Sequence, residues 1–258
     1  MTRAPRRAAA PIAKLAAGIV AALALAGAAK AETCEPHAAG AFTPESGNAV
    51  AALPAFCRVA LVLRPSADSE IRSEVWLPED WNGRLQMVGN GGWAGVINYQ
   101  ALGEALRQGY AAVATDTGHQ GNRAIFALGH PEKVTDFGWR AVHETVVAAK
   151  AVIAEHYGRP AAFAYWSSCS TGGRQGLMEA QRFPDDYDGL IAGAPAANWT
   201  RFQAGGHLWI VLALNKDPES YVPAGKLPLI ENAVNAACDA ADGVKDGVLE
   251  RSEEHTSE

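Results

Sequence analysis

Residues 160–183, PAAFAYWSSCSTGGRQGLMEAQRF, run a buried-strand pattern into a helical one with only a few small residues between them. A strand that passes straight into a helix leaves no room for a hairpin, so the next strand must return by crossover and lie parallel. The same alternation recurs on both sides. Upstream, GRLQMVGNGGWAG is a short apolar strand ending in a glycine-rich loop, YQALGEALRQG is helical, AAVATDTGH is a strand, and GWRAVHETVVAAKAVIAEHYG is a long helix stopped at Gly158. Downstream, YDGLIAGAP is another strand. Two earlier runs, RVALVLRP and SEIRSEVWLP, are joined by SADS, which is hairpin chemistry. The pattern predicts an α/β sheet, parallel over most of its width, with antiparallel strands at one edge.

The elbow within that stretch carries the chemistry. A serine at a sharp turn between a parallel strand and a helix projects its hydroxyl from the C-terminal edge of the sheet, and the next residue offers an N–H at a helix start. Here the five residues are Ser168, Cys169, Ser170, Thr171 and Gly172, so serine stands where G-x-S-x-G has its first glycine. Ser170 is the candidate nucleophile. The alternative is that Ser170 merely N-caps the helix. Oxyanion donors are expected from the Thr171 N–H and from Gly91 or Gly92 in GNGGWAG, where the missing Cβ lets a backbone N–H approach a substrate oxygen. Trp93 either lines an acyl pocket or packs.

At 258 residues and 48% hydrophobic content, the chain can bury one large core. The first 31 residues read as an export signal: a basic start, the apolar run LAAGIVAALALAGA, and AKA as a small-residue cleavage site. They carry five basic residues and no acidic one, so cleavage after Ala31 takes the formal net charge from −6 to −11. That excludes nucleic acid and anionic membranes as natural partners. No further segment is long and apolar enough to span a bilayer, so the mature chain is expected to be secreted or periplasmic. An oxidising compartment makes Cys34, Cys57, Cys169 and Cys238 disulfide candidates, and Cys34 with Cys57 is the local pair. For Cys169 and Cys238, a mutual bridge and two free thiols both stay open.

Near Ala196 the pattern shifts to a helical NWTRFQAGGHLWIVLALNKD and then to CDAADGVKDGV. The expected organisation is a signal over 1–31, a sheet domain over 32–195, the start of an inserted lid over 196–250, and a non-native tail, RSEEHTSE, over 251–258. In the second segment Asp239, Asp242 and Asp246 sit on a tight turn that could add the carbonyls of Val244 and Val248, an all-oxygen set suited to calcium. A plain pair of Asp-Gly turns is the competing reading.

CSTGGRQGLMEAQRFPDDYDGLIAGAPA, with GNGGWAG and ATDTGH before it and CDAADGVKDGV after it, resembles the tannase and feruloyl esterase family, which also includes mono(2-hydroxyethyl) terephthalate hydrolase. The resemblance implies an α/β-hydrolase fold with an inserted lid domain, Ser170 as nucleophile, and a structural calcium at the Asp239–Val248 turn with no organic cofactor. It also implies that Cys169 is bonded to a cysteine beside the catalytic histidine and that Cys238 has its own downstream partner. Ser168 departs from the family's glycine, and its extra hydroxymethyl group is either accommodated or tilts Ser170.

A triad in this fold runs Ser, then Asp or Glu, then His. After Ser170 only His207 and His255 remain, and neither suits the base; His119 and His143 precede it and read as structural. The expectation is that the C-terminal part is truncated and that the catalytic Asp and His lie beyond the chain, which as written would be inactive. The functional reading is a serine carboxylesterase for small aromatic acyl esters, feruloyl, galloyl or related. A noncatalytic exported remnant of the fold and a lipase-type aliphatic esterase are the alternatives.

Overall fold

The computed structural model describes residues 29–31, 33–45, 48–241 and 243–249. Of the export signal expected over 1–31, residues 1–28 lie outside the described residues, as do Asp242 and the tail 251–258, whereas Ala29–Ala31 pair with the sheet as a strand. Eight strands form the main sheet: β1 (Ala29–Ala31), β2 (Glu35–His37), β3 (Phe56–Leu63), β4 (Ile71–Pro78), β5 (Arg84–Met87), β6 (Ala111–Thr115), β7 (Phe163–Cys169) and β8 (Gly189–Gly193). Their order is β1-β3-β4-β6-β5-β7-β8, with β2 also on β3. The β3–β4 hairpin pairs antiparallel over all eight residues of each strand, and β4 meets β6 antiparallel. From β6 onward, β5, β7 and β8 are parallel.

Side-chain alternation explains the two faces of the sheet. Val59, Leu61, Val75, Leu77 and Val113 point into one core with Val146, Ala149 and Ile153 of the helix over Ala141–Tyr157. Trp76, Ala112 and Ala114, one residue out of phase, point into a second core with Leu102 and Leu106 of the helix over Tyr99–Arg107. Helix α1 (Tyr99–Arg107) is capped by Asn98, whose side-chain oxygen accepts from the Ala101 N–H. Helix α2 (Ala141–Tyr157) ends at Gly158 with φ 68°, the left-handed stop the sequence predicts. It begins later than GWRAV suggests, because residues 136–140 form a π-turn ahead of it. The region between Cys34 and Cys57, read as loop, contains β2 and a small strand pair, Gly40–Phe42 with Val50–Leu53, and Val50 and Leu53 are buried.

Chain direction locates a site before any side chain does. The connection from β5 leads to β6 on one side, and helix α3 (Thr171–Arg182) leads from β7 to β8 on the other. Adjacent strands β5 and β7 therefore diverge at their C-terminal ends, and open α/β sheets bind ligands in the crevice at such a switch point. The residues there are the GNGGWAG loop and the Ser170 elbow.

From Asn198 onward the residues form a second compact unit. It contains helices α4 (Trp209–Lys216) and α5 (Leu227–Cys238), with a π-turn over Phe202–Leu208. No described helix is long and apolar enough to cross a membrane.

Candidate active site

Strand β7 ends at Cys169 and α3 begins at Thr171, which leaves Ser170 alone at the turn with φ 61° and ψ −120°. A non-glycine residue held there stores roughly 1–3 kcal/mol of strain and persists only where its surroundings over-determine it. Ser170 donates its N–H to the Gly193 carbonyl at 3.0 Å, and its own carbonyl accepts from Ala196 at 3.1 Å and from Arg174 at 3.1 Å. Position and chemistry then part company. Ser170 occupies the N-cap position, yet its hydroxyl bonds none of the helix N–H groups, so the capping role weighed from the sequence is not what this serine does.

Three backbones converge at the elbow because glycine stands at each approach. A Cβ on Gly89 would lie 2.6 Å from Gln175 Oε1, 2.7 Å from the Trp166 ring and 2.8 Å from Gly172 Cα. A Cβ on Gly172 would lie 2.5 Å from the Ser168 Cβ and against its Oγ. Ser168 is thus accommodated in place of glycine by the missing side chain at Gly172. Trp166 fills the space beneath, and its indole N–H donates to the Gly172 carbonyl at 3.0 Å.

The loop after β5 is fastened to the elbow by residues that sequence reasoning missed. Buried Gln175 accepts from the Asn90 N–H at 3.1 Å and donates to the Asn90 side-chain oxygen at 3.1 Å. The Asn90 amide in turn donates to the carbonyls of Val96 and Thr115. Gly172 donates its N–H to the Asn90 carbonyl at 2.8 Å, and Thr171 Oγ1 donates to the Gly92 carbonyl at 2.9 Å. A polar side chain on the core face of α3, at Gln175, is the signal that could have revealed this clamp. The result brings Ser170, Thr171, Gly91 and Gly92 to one place. Among the described residues, the N–H groups of Thr171, Gly91 and Gly92 donate to no acceptor. Trp93, half-buried, stacks on Phe137 at 5.3 Å.

No described histidine hydrogen-bonds Ser170 Oγ. His119 Nε2 lies 2.8 Å from the Trp93 carbonyl and the ring stacks on Phe126, and His130 pairs with Asp68. His143 Nδ1 lies 2.7 Å from Asp186 Oδ2. Burial lowers the pKa of His119. A polar cavity of about 410 Å³ next to Asp116 and His119 is lined by Arg64, Arg72 and Lys133 and includes none of the elbow residues. The reacting ester is not expected there.

Asp116, 4% exposed, follows β6 and accepts on one oxygen from the Arg72 N–H at 3.0 Å and the Gly118 N–H at 2.8 Å. Burial outweighs these bonds and pushes its carboxyl up from 3.8 to about 7. A carboxyl raised on folding contributes stability that is complete below its unfolded pKa and is lost as pH rises through its folded one. Asp116→Asn keeps the accepting oxygen and has no charge to bury. Its unfolding temperature is expected to depend less on pH between about 4 and 7 than that of the parent, the difference in slope reaching at most about 1.4 kcal/mol per pH unit. Equal slopes in calorimetry across that range would refute it.

Cys34 and Cys57 form a disulfide, as the local pairing predicts, and Cys169 and Cys238 are free thiols. In the second unit, Asp239 Oδ1 accepts from the N–H groups of Asp246 at 3.2 Å and Gly247 at 2.7 Å, and Asp246 Oδ1 accepts from Val248 at 3.0 Å. Each carboxylate keeps a second oxygen outside these bonds, on a turn that also carries Val244 and Val248. This oxygen-only donor set fits a hard cation such as calcium.

A family model described as tannase and feruloyl esterase matches residues 57–255. An uncharacterized esterase of Xanthomonas campestris pv. campestris is 45% identical over 214 residues, 82% of this chain and 37% of that protein. Feruloyl esterase B of Aspergillus niger is 39% identical over 195 residues, 75% of this chain and 37% of that protein. The chain spans about 37% of the length of these curated relatives. Among solved structures, feruloyl esterase B from Aspergillus oryzae aligns with a TM-score of 0.83 at 35% identity, covering 88% of this chain and 46% of that one. Tannin acyl hydrolase from Aspergillus niger aligns with a TM-score of 0.71 at 32% identity, covering 87% of this chain and 43% of that one.

Proposed function

The chain belongs to the tannase and feruloyl esterase family and has the α/β-hydrolase fold, and we propose that it hydrolyses small aromatic acyl esters, feruloyl, galloyl or a related phenolic, through an acyl-enzyme on Ser170. The observation that carries this reading is a strained serine at the sheet's switch point whose hydroxyl caps no helix N–H, beside a clamped loop where the Gly91 and Gly92 N–H groups, like that of Thr171, have no acceptor among the described residues. Ser170 Oγ attacks the ester carbonyl, and its proton passes to a histidine that we place, with its orienting acid, outside the described residues. The oxyanion takes the Thr171 N–H and one from Gly91 or Gly92. Collapse expels the alcohol, which receives the proton from that histidine. Water then adds to the acyl-enzyme, giving the aromatic acid and freeing Ser170.

Asp239, Asp246 and the carbonyls of Val244 and Val248, with Asp242, would hold a calcium ion that stiffens the second unit and takes no part in bond making. The apolar stretch before Ala31 supports export of the mature protein.

The test is kcat/KM for methyl ferulate against a short-chain aliphatic ester, with the polypeptide that contains the base, before and after treatment with EGTA. The proposal expects preference for the aromatic ester, and a lowered unfolding temperature once calcium is removed. Equal or reversed preference points to a lipase-type esterase. No turnover of either ester, together with no labelling of Ser170 by a fluorophosphonate, points to a noncatalytic member of the fold.

A further inference from the structure

Behind the elbow, α2, α3 and the loop before β8 each contribute one polar side chain to a common point. His143 comes from α2, Glu179 from α3 and Asp186 from the loop, and one ligand atom of each lies within 4.8 Å of the other two. Glu179 is 1% exposed and Asp186 8% exposed. With both carboxylates ionised, neither oxygen of Glu179 accepts a hydrogen bond among the described residues, and the Asp186 carboxylate lies close enough to share a proton with it.

The charge around this cluster does not balance. The nearby cations are committed elsewhere: Lys150 donates to the backbone carbonyl of Asp186 at 2.6 Å, and Arg182 lies over the Trp139 ring and donates to Met178 Sδ. Among the described residues, the only ion pair to either carboxylate is the one from His143 to Asp186. Two buried carboxylates against one imidazole must share a proton or take up a cation, since an isolated buried charge is costly. Burial first, and then the adjacent Asp186 carboxylate, push the Glu179 carboxyl up to about 8.

We propose that His143, Glu179 and Asp186 form a binding site for a divalent transition-metal cation of the zinc type. One imidazole nitrogen with two carboxylate oxygens is a donor set for zinc, manganese or cobalt, whereas calcium and magnesium prefer oxygen alone. His143 is already oriented for the role, because its ring stacks on Phe183 at a centroid distance of 3.7 Å. The site is structural. Glu179 lies nine residues along α3 from Ser170, about 13 Å by helical rise. A metal there would tie α2, α3 and the approach to β8 together and so hold the helix that begins at the nucleophile. The proposal does not depend on the esterase reading.

The experiment is titration of the EDTA-treated full chain with Co²⁺, followed by visible absorption, metal analysis after desalting and thermal unfolding. The expected result is about one bound Co²⁺ with ligand-field bands, displaced by Zn²⁺ and not by excess Ca²⁺, and a raised unfolding temperature. Glu179→Gln and His143→Gln are each expected to weaken binding about tenfold or more, and Asp246→Asn to leave it unchanged. His143 is partly exposed, so His143→Gln keeps the test available if Glu179→Gln fails to fold. No ligand-field bands with the parent chain, or bands that survive both substitutions, would overturn the site and leave a shared proton as the account of the cluster.

Discussion

Ser170→Gly is expected to unfold at a higher temperature than the parent chain, although it removes the hydroxyl proposed to attack the ester. The backbone at 170, φ 61° and ψ −120°, is a conformation glycine adopts freely and a residue with a Cβ does not. Removing that Cβ should recover roughly 1–3 kcal/mol of strain. Glycine also gives back roughly 0.5–1 kcal/mol through the greater freedom of the unfolded chain, so a net gain of about 1 kcal/mol is expected. The hydroxyl itself contributes nothing to the fold, since it makes no hydrogen bond among the described residues. Ser170→Ala is the control: it keeps the Cβ and the strain, and its stability should stay within about 0.5 kcal/mol of the parent. Both variants lose the proposed nucleophile, and under that proposal kcat should fall by about 10⁴-fold or more in the polypeptide that contains the base. Urea unfolding of the three chains decides the stability half. If the glycine and alanine variants are equally stable, the elbow is not strained and the turn owes its shape to packing alone.

Much of this arrangement is legible in the sequence because it rests on local signals. The AAFAYW strand, the small residues after it and the helical GGRQGLMEAQR specify a parallel elbow without reference to the rest of the chain, and β7 and α3 appear where those signals put them. The β3–β4 hairpin and the Gly158 stop are local in the same sense. What the sequence hides is long-range. The Asn90–Gln175 clamp joins residues 85 positions apart, and nothing in GNGG or in GRQG taken alone says that one amide will satisfy the other. Glu179 is one of the charged or amide side chains in GGRQGLMEAQR that the local pattern does not single out, yet it is buried beside Asp186 and His143. Ser168 looks like a defect in the motif until Gly172 is seen beside it, because the fit depends on the absence of an atom on the neighbouring turn.

Gly173→Ala is expected to be among the most destabilising single methyl additions in the sheet domain, and the reason is which atoms stand in the way. A Cβ at 173 would press on the Gly193 carbonyl oxygen and lie 2.8 Å from Pro195 Cα. These are backbone atoms at the end of β8, and the same carbonyl accepts the Ser170 N–H at 3.0 Å. Relief therefore requires α3 to move off β8 or the bond that holds the elbow to break. Overpacking of this kind costs about 3 kcal/mol or more. Gly172→Ala meets a different obstacle, the Ser168 side chain, so Ser168→Gly should recover much of its loss, whereas it should do nothing for Gly173→Ala. Gly138→Ala, with no atom within 4 Å of the added Cβ, should be near neutral. Denaturant unfolding of the Gly172 and Gly173 variants, each with and without Ser168→Gly, separates the two cases. If Ser168→Gly rescues both variants, or neither, then the clash lies elsewhere and the elbow is more compliant than its geometry implies. Rescue of Gly172→Ala alone would make Ser168 a side chain accommodated by one missing methyl group, with Gly173 as the contact on which the position of Ser170 depends.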